Sequence, residues 1–107
     1  RKSGHCLIGS DERLWAIDHG ICFHTEYKLR TVIWEFSGEP IDTDLIADMT
    51  ALRQQLTDVD HTLAQQLCHL LDAAERKALL ARLQQLLRKA IYPAPQPHRR
   101  NYPWPPV

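Results

Sequence analysis

Charge of one sign is what this sequence most conspicuously lacks. Thirteen Lys and Arg side chains are balanced by thirteen Asp and Glu over 107 residues. No net field therefore draws the chain to nucleic acid or to an anionic membrane. No apolar run approaches the ~20 residues that span a bilayer, and no secretory leader is legible. Cysteine is sparse: Cys6, Cys22 and Cys68 are an odd number with no CxxC pair. These absences predict a cytoplasmic chain with free thiols, no transmembrane segment and no nucleic-acid partner. Phosphate-cradling Walker loops, GxSxG elbows and a Cys/His dyad at a nucleophile's spacing are missing too, which removes those chemistries. There is no internal repeat.

What is present is one domain's worth of chain, long enough to bury roughly two-thirds of its unfolded surface. Cys6-Leu7-Ile8 reads as a strand, Gly9-Ser10-Asp11-Glu12 as a turn, and Arg13 to Asp18 as a second strand. Together they predict a β-hairpin. The stretch from Tyr27 to Phe36 is rich in β-branched and aromatic residues, and its pattern fits an extended segment or a short helix. Ser37-Gly38-Glu39-Pro40 is a stop.

Asp42 or Thr43 then caps a first helix, with Leu45, Met49, Leu52 and Leu56 on its buried face. A second helix runs from about His61 to Leu71, burying Leu63, Leu67, Leu70 and Leu71. Asp72 and Glu75 form a capping-box pattern opening a third, which extends to about Ala90. Its leucines are too few in heptads for a coiled coil, so core helices of a small bundle are expected. Six of the seven prolines fall after residue 92. The chain therefore divides into a domain over 1–92 and an extended, polyproline-like tail over 93–107. Tyr102 and Trp104 either anchor that tail or offer it to a partner. The fold class is α+β, mainly α: a hairpin, an irregular segment and about three helices.

The chemistry concentrates in Leu14-Trp15-Ala16-Ile17-Asp18-His19-Gly20. A strand that ends in an acid followed by glycine fixes a carboxylate at a cleft, and the glycine leaves room for an ion. The hairpin folds His5 back towards Asp18, giving a two-ligand metal site against the alternative of a surface histidine and a turn aspartate. His19, Cys22 and His24, with His5 and Cys6, are a further set of soft ligands at no standard zinc spacing. Lys28 and Arg30, two residues apart, point the same way on an extended chain and could meet a phosphate or could be a solvated pair.

Arg1-Lys2-Ser3-Gly4-His5, the hairpin, Ile17-Asp18-His19-Gly20 and Phe23 resemble the catalytic core of the phosphatidylinositol 3-/4-kinase-like group. From Leu14 to Pro40, the Trp-Ala-Ile-Asp-His-Gly, Lys-Leu-Arg-Thr and Gly-Glu-Pro strings resemble an actinobacterial family grouped with those lipid kinases. The resemblance covers the first forty residues, with the proline-tryptophan tail a looser match. It implies a kinase-like C-lobe in which Asp18 holds magnesium on ATP phosphates and His5 stands at the second ligand's position, usually Asn. Lys28 and Arg30 would fall in the activation-loop-like segment that reads the acceptor.

The departures define further expectations. The family's catalytic acid would immediately precede Arg1, so no catalytic residue lies in this chain. The glycine-rich loop and ATP-holding lysine are absent as well. His in the Asn position favours manganese beside magnesium, and His19 replaces the usual Phe of Asp-Phe-Gly. The resemblance thus implies the C-terminal fragment of an ATP-dependent phosphotransferase, inactive alone. Its partner is the missing N-terminal part of the same protein, and its uncovered apolar patch would favour a homo-oligomer. The alternatives are a degenerate kinase-like binding module and a small His/Cys metal-binding protein.

Overall fold

Three turns of local chemistry set the architecture before any packing does. The computed structural model describes residues 1–107. A single 3-10 turn, Ser3–His5, leads into β1 (Cys6–Ile8), which pairs antiparallel with β2 (Leu14–Ala16). Leu7 faces Trp15 across the ladder, and Cys6 faces Ala16. The connection is closed by Glu12 N–H to Gly9 C=O at 3.0 Å and Gly9 N–H to Arg13 C=O at 2.9 Å. Glu12 takes a left-handed φ of 60°. This is the three-residue hairpin loop whose last position turns left-handed. Gly9 is required there for space: a Cβ would lie 2.5 Å from the Asp11 carboxylate and 2.8 Å from the Trp15 indole nitrogen.

The second strand is shorter than the sequence suggested, because Ile17 keeps one ladder bond (N–H to His5 C=O, 2.9 Å) and Asp18 leaves the extended region at φ 60°. Residues 19–41 contain neither helix nor strand apart from one isolated bridge at Pro40. Of the two readings of Tyr27 to Phe36, an extended segment or a short helix, the helix is excluded, and the segment joins no sheet.

The helices follow their caps. α1 spans Thr43–Thr57 behind Asp42, α2 spans Thr62–Leu70 behind His61, and α3 spans Ala73–Lys89 behind Asp72. Asp72 Oδ1 accepts from Glu75 N–H at 2.8 Å while Glu75 Oε2 accepts from Asp72 N–H at 2.9 Å, the reciprocal bonds of a capping box. His61 caps α2 through Nδ1, which accepts from Leu63 N–H at 3.1 Å. The Asp42 side chain makes no capping bond. α3 ends on Ala90 in the left-handed region, φ 53°. From there the chain pairs with the residues that precede α1: Ile41 N–H to Ala90 C=O, Tyr92 N–H to Glu39 C=O and Gly38 N–H to Tyr92 C=O, each 2.9 Å. Gly38 sits at φ 80°, which only glycine adopts cheaply. This bridge, which the sequence did not reveal, locks the two ends of the helical layer together.

The leucine faces are buried less than expected. Leu83 and Ile41 are the only buried apolar residues, and Thr31 is the one buried polar residue. Met49, Leu52, Leu56, Leu63, Leu67 and Leu71 are half-buried. Leu45 and Leu70, expected on buried faces, are exposed. The three helices pack against one another with little else around them, so their apolar stripes are only half-buried. No helix is long and apolar enough to cross a membrane.

Candidate functional site

The site begins with a parity problem. Side chains alternate along a strand, so His5, paired with Ile17, should face away from Asp18. Yet His5 Nε2 lies 3.2 Å from Asp18 Oδ2. The left-handed backbone at Asp18 breaks the alternation exactly where the strand ends, and it coincides with the carboxylate's arrival on the histidine's side. Gly20, expected to supply the turn, does not: a Cβ there would make an ordinary 3.7 Å contact with Asp18 Oδ1.

The imidazole is oriented from behind. Lys2 N–H points at His5 Nδ1 across 3.5 Å, which leaves the ring proton on Nε2, directed at the carboxylate. His5 is 20% exposed and Asp18 62%, so the pair is rooted on the histidine side and open on the acid side. Two donor atoms bound cis on one octahedral ion, each at about 2.1 Å, stand about 3 Å apart. The His5–Asp18 spacing fits that edge once Nε2 gives up its proton.

Asp18 also lines a cleft of about 500 Å³. Lys28 and Arg30 line the same cleft, as do Arg1 and Arg82. Aromatic and aliphatic walls come from Tyr27, Ile33, Trp34, Phe36 and Tyr92. His5 is not among the lining residues. Lys28 is partly neutralised by Glu26, 3.8 Å away. The fold thus gathers two carboxylates, Asp18 and Glu26, and four cations around a partly apolar hollow, a composition with an excess of positive charge that suits an anionic ligand with a cation between ligand and acid.

Two of those cations carry no sequence signal. The Arg82 guanidinium reaches from α3 to the carbonyls of His24 (2.7 Å) and Cys22 (3.2 Å), fastening the loop after Asp18 to the helices. The Arg1 guanidinium donates to the Ile17 carbonyl and to His19 Nδ1, the latter at 3.1 Å. Nothing in the spacing of either arginine pointed to these partners, which lie far along the chain or across a turn.

The other expected ligands are otherwise engaged. His19 holds Arg1 through Nδ1 and the Ala16 carbonyl through Nε2, 3.0 Å. His24 Nδ1 accepts from Glu26 N–H at 3.0 Å. Cys6, Cys22 and Cys68 are free thiols. No three His, Cys, Asp or Glu side chains converge as a metal-binding group, so the alternative His/Cys set does not come together as a zinc-type cluster. Tyr27, at the cleft wall, has its phenol pushed above the ordinary value by burial, with the Arg99 cation opposing.

Comparison with known proteins gives one informative similarity. The chain is 42% identical over 105 residues to Protein Rv2133c of Mycobacterium tuberculosis, an alignment covering 98% of this chain and 36% of that protein. The chain thus spans about a third of the length of the curated relative it matches. No family model matches the chain. No solved structure matches it either.

Proposed function

We propose that this chain is the C-terminal, C-lobe-like part of a phosphatidylinositol 3-/4-kinase-like phosphotransferase that works in the cytoplasm. The observation that carries the reading is the meeting of His5 and Asp18 at 3.2 Å beside a cleft that also holds Lys28 and Arg30. One nitrogen and one carboxylate leave most positions of an octahedral ion for phosphate oxygens and water, the donor set that magnesium takes with nucleotides. The imidazole extends the fit to manganese. Asp18 and His5 would hold that ion, which supplies charge neutralisation on the ATP phosphates. Lys28 and Arg30 would meet anionic oxygens of the acceptor or of the transferring group. The general base and the ATP-holding lysine belong to the rest of the longer polypeptide, and the exposed hairpin is the face that receives it.

The test uses that longer polypeptide. Asp18→Asn keeps the side chain's shape and removes its charge. It should abolish Mn-ATP and Mg-ATP binding by calorimetry while leaving the helical circular dichroism unchanged. Wild-type affinity in the variant would refute the assignment. A second reading, a kinase-like binding module without catalysis, draws on the imidazole proton that now points at Asp18. Under it, the intact wild-type protein gives no heat with either nucleotide complex.

A further inference from the structure

The proline-rich tail does not trail away from the domain. Its turn is built around Asn101, whose side-chain amide imitates a backbone partner. Asn101 Oδ1 accepts from Gln96 N–H at 2.9 Å, and Nδ2 donates to the carbonyls of Gln96 (2.8 Å) and Arg99 (3.0 Å). That arrangement frees the Asn101 backbone carbonyl to accept the N–H of Thr31 at 3.0 Å. Thr31 is the one buried polar residue of the chain. Its hydroxyl in turn accepts from Ile33 N–H at 3.0 Å.

Two further contacts run along the same seam, and a third ties the tail to the 3-10 turn. The Arg99 guanidinium donates to the Tyr27 carbonyl at 3.4 Å and lies 5.6 Å from the centre of the Tyr27 ring. Tyr102 meets Trp34 edge-on, with ring centres 6.4 Å apart. Pro106 C=O accepts from Ser3 N–H at 3.2 Å. The tail therefore grips both ends and the middle of the stretch from Tyr27 to Trp34. That stretch has no helix or strand to satisfy its backbone, so it depends on such borrowed partners for order. Lys28 and Arg30 both lie within it.

We infer that Asn101 and Arg99 are positioning residues: through them the tail straps the 27–34 segment and sets where Lys28 and Arg30 stand in the cleft. The strap stands on geometry alone. Its consequence for ligand rests on the reading of Lys28 and Arg30 as phosphate contacts. A phosphate-binding lysine and arginine on an unsupported loop would lose orientation before losing charge.

The experiment is done on the intact protein with two readouts. Hydrogen exchange is followed at the Thr31 amide, and inorganic pyrophosphate binding is measured by calorimetry. Variants are Asn101→Ala, Arg99→Ala and, as a control for the cations themselves, Lys28→Ala with Arg30→Ala. Far-ultraviolet dichroism confirms that the helices persist. In Asn101→Ala, Thr31 exchange should accelerate roughly tenfold or more while α3 amides are unchanged. Pyrophosphate affinity should fall roughly tenfold although no cation has been removed. Arg99→Ala, at an exposed residue that does not threaten folding, should move both readouts the same way by less. Unchanged Thr31 exchange in Asn101→Ala would overturn the strap. Faster exchange with undiminished pyrophosphate affinity would overturn the positioning role. Wild-type protein that binds no pyrophosphate, with Thr31 still released by Asn101→Ala, would uphold the strap and instead remove the phosphate reading proposed above.

Discussion

At the scale of single residues, the site depends on a backbone conformation that aspartate tolerates and most residues do not. Asp18 at φ 60° is where the strand's alternation fails and its carboxylate reaches His5. Left-handed backbone costs an ordinary L-residue roughly 1–2 kcal/mol, and Asn and Asp less. Asp18→Asn should therefore leave urea stability within about 0.5 kcal/mol of wild type, while Asp18→Val should lose at least 1 kcal/mol. Equal stability of the two variants would show that the conformation relaxes in solution. Tyr27 offers a pH readout. Burial raises its phenol above the ordinary value, with Arg99 as the smaller opposing effect. The folded phenol ionises later than the unfolded one, so the associated stability is intact below about pH 10. It is lost as pH rises through the folded value. An absorbance titration at the tyrosinate band should show a late phase, and Tyr27→Phe should remove it.

At the scale of elements, the capping box does what the sequence promised, the Asp42 side chain caps nothing, and two left-handed positions leave room for improvement. The Asp72–Glu75 capping box fixes the start of α3. Asp72→Ala should cost about 1 kcal/mol in urea unfolding. At the other end of α3, Ala90 occupies a left-handed position that glycine fills without a Cβ penalty. Ala90→Gly should stabilise by about 1 kcal/mol, despite glycine's greater freedom in the unfolded chain. Glu12→Gly in the hairpin loop should act in the same direction, for the same reason. Loss of stability in both glycine variants would argue that packing, not backbone strain, governs these ends.

At the scale of the whole molecule, the surface is too large for its mass. The chain exposes 8076 Å², where a folded monomer of 12.4 kDa exposes about 6,100 Å². Its radius of gyration is 15.2 Å, against about 13 Å for a compact domain of this length. The excess of about 2,000 Å² is of the size that specific interfaces bury. Leu7, Ile8, Leu14, Trp15 and Ile17 stand exposed on the hairpin. Alone at high concentration, the chain should sediment as dimers or larger and bind a hydrophobic dye. Joined to the remainder of a polypeptide as long as its relative, it should do neither. A clean, dye-silent monomer of the 107-residue chain would contradict this.

The sequence by itself determined whatever is written in neighbouring residues. The hairpin turn follows from Gly9 to Glu12, the three helices follow from leucine spacing, and the start of the third follows from its capping box. The prolines mark where the tail begins. These features are short-range, because dihedral preference and capping act over four or five residues. Only tertiary structure decided the site's wiring. The hairpin brings His5 and Asp18 to one end, as the sequence indicated, but that their side chains face each other depends on one left-handed residue. Arg82 reaches back 58 residues to the His24 carbonyl, and Asn101 reaches 70 to the Thr31 amide. The last two bonds end on backbone groups that every residue carries, so no side-chain pattern announces them. The half-buried leucines have the same origin. Periodicity says which face of a helix is apolar, but what covers that face depends on what lies across from it.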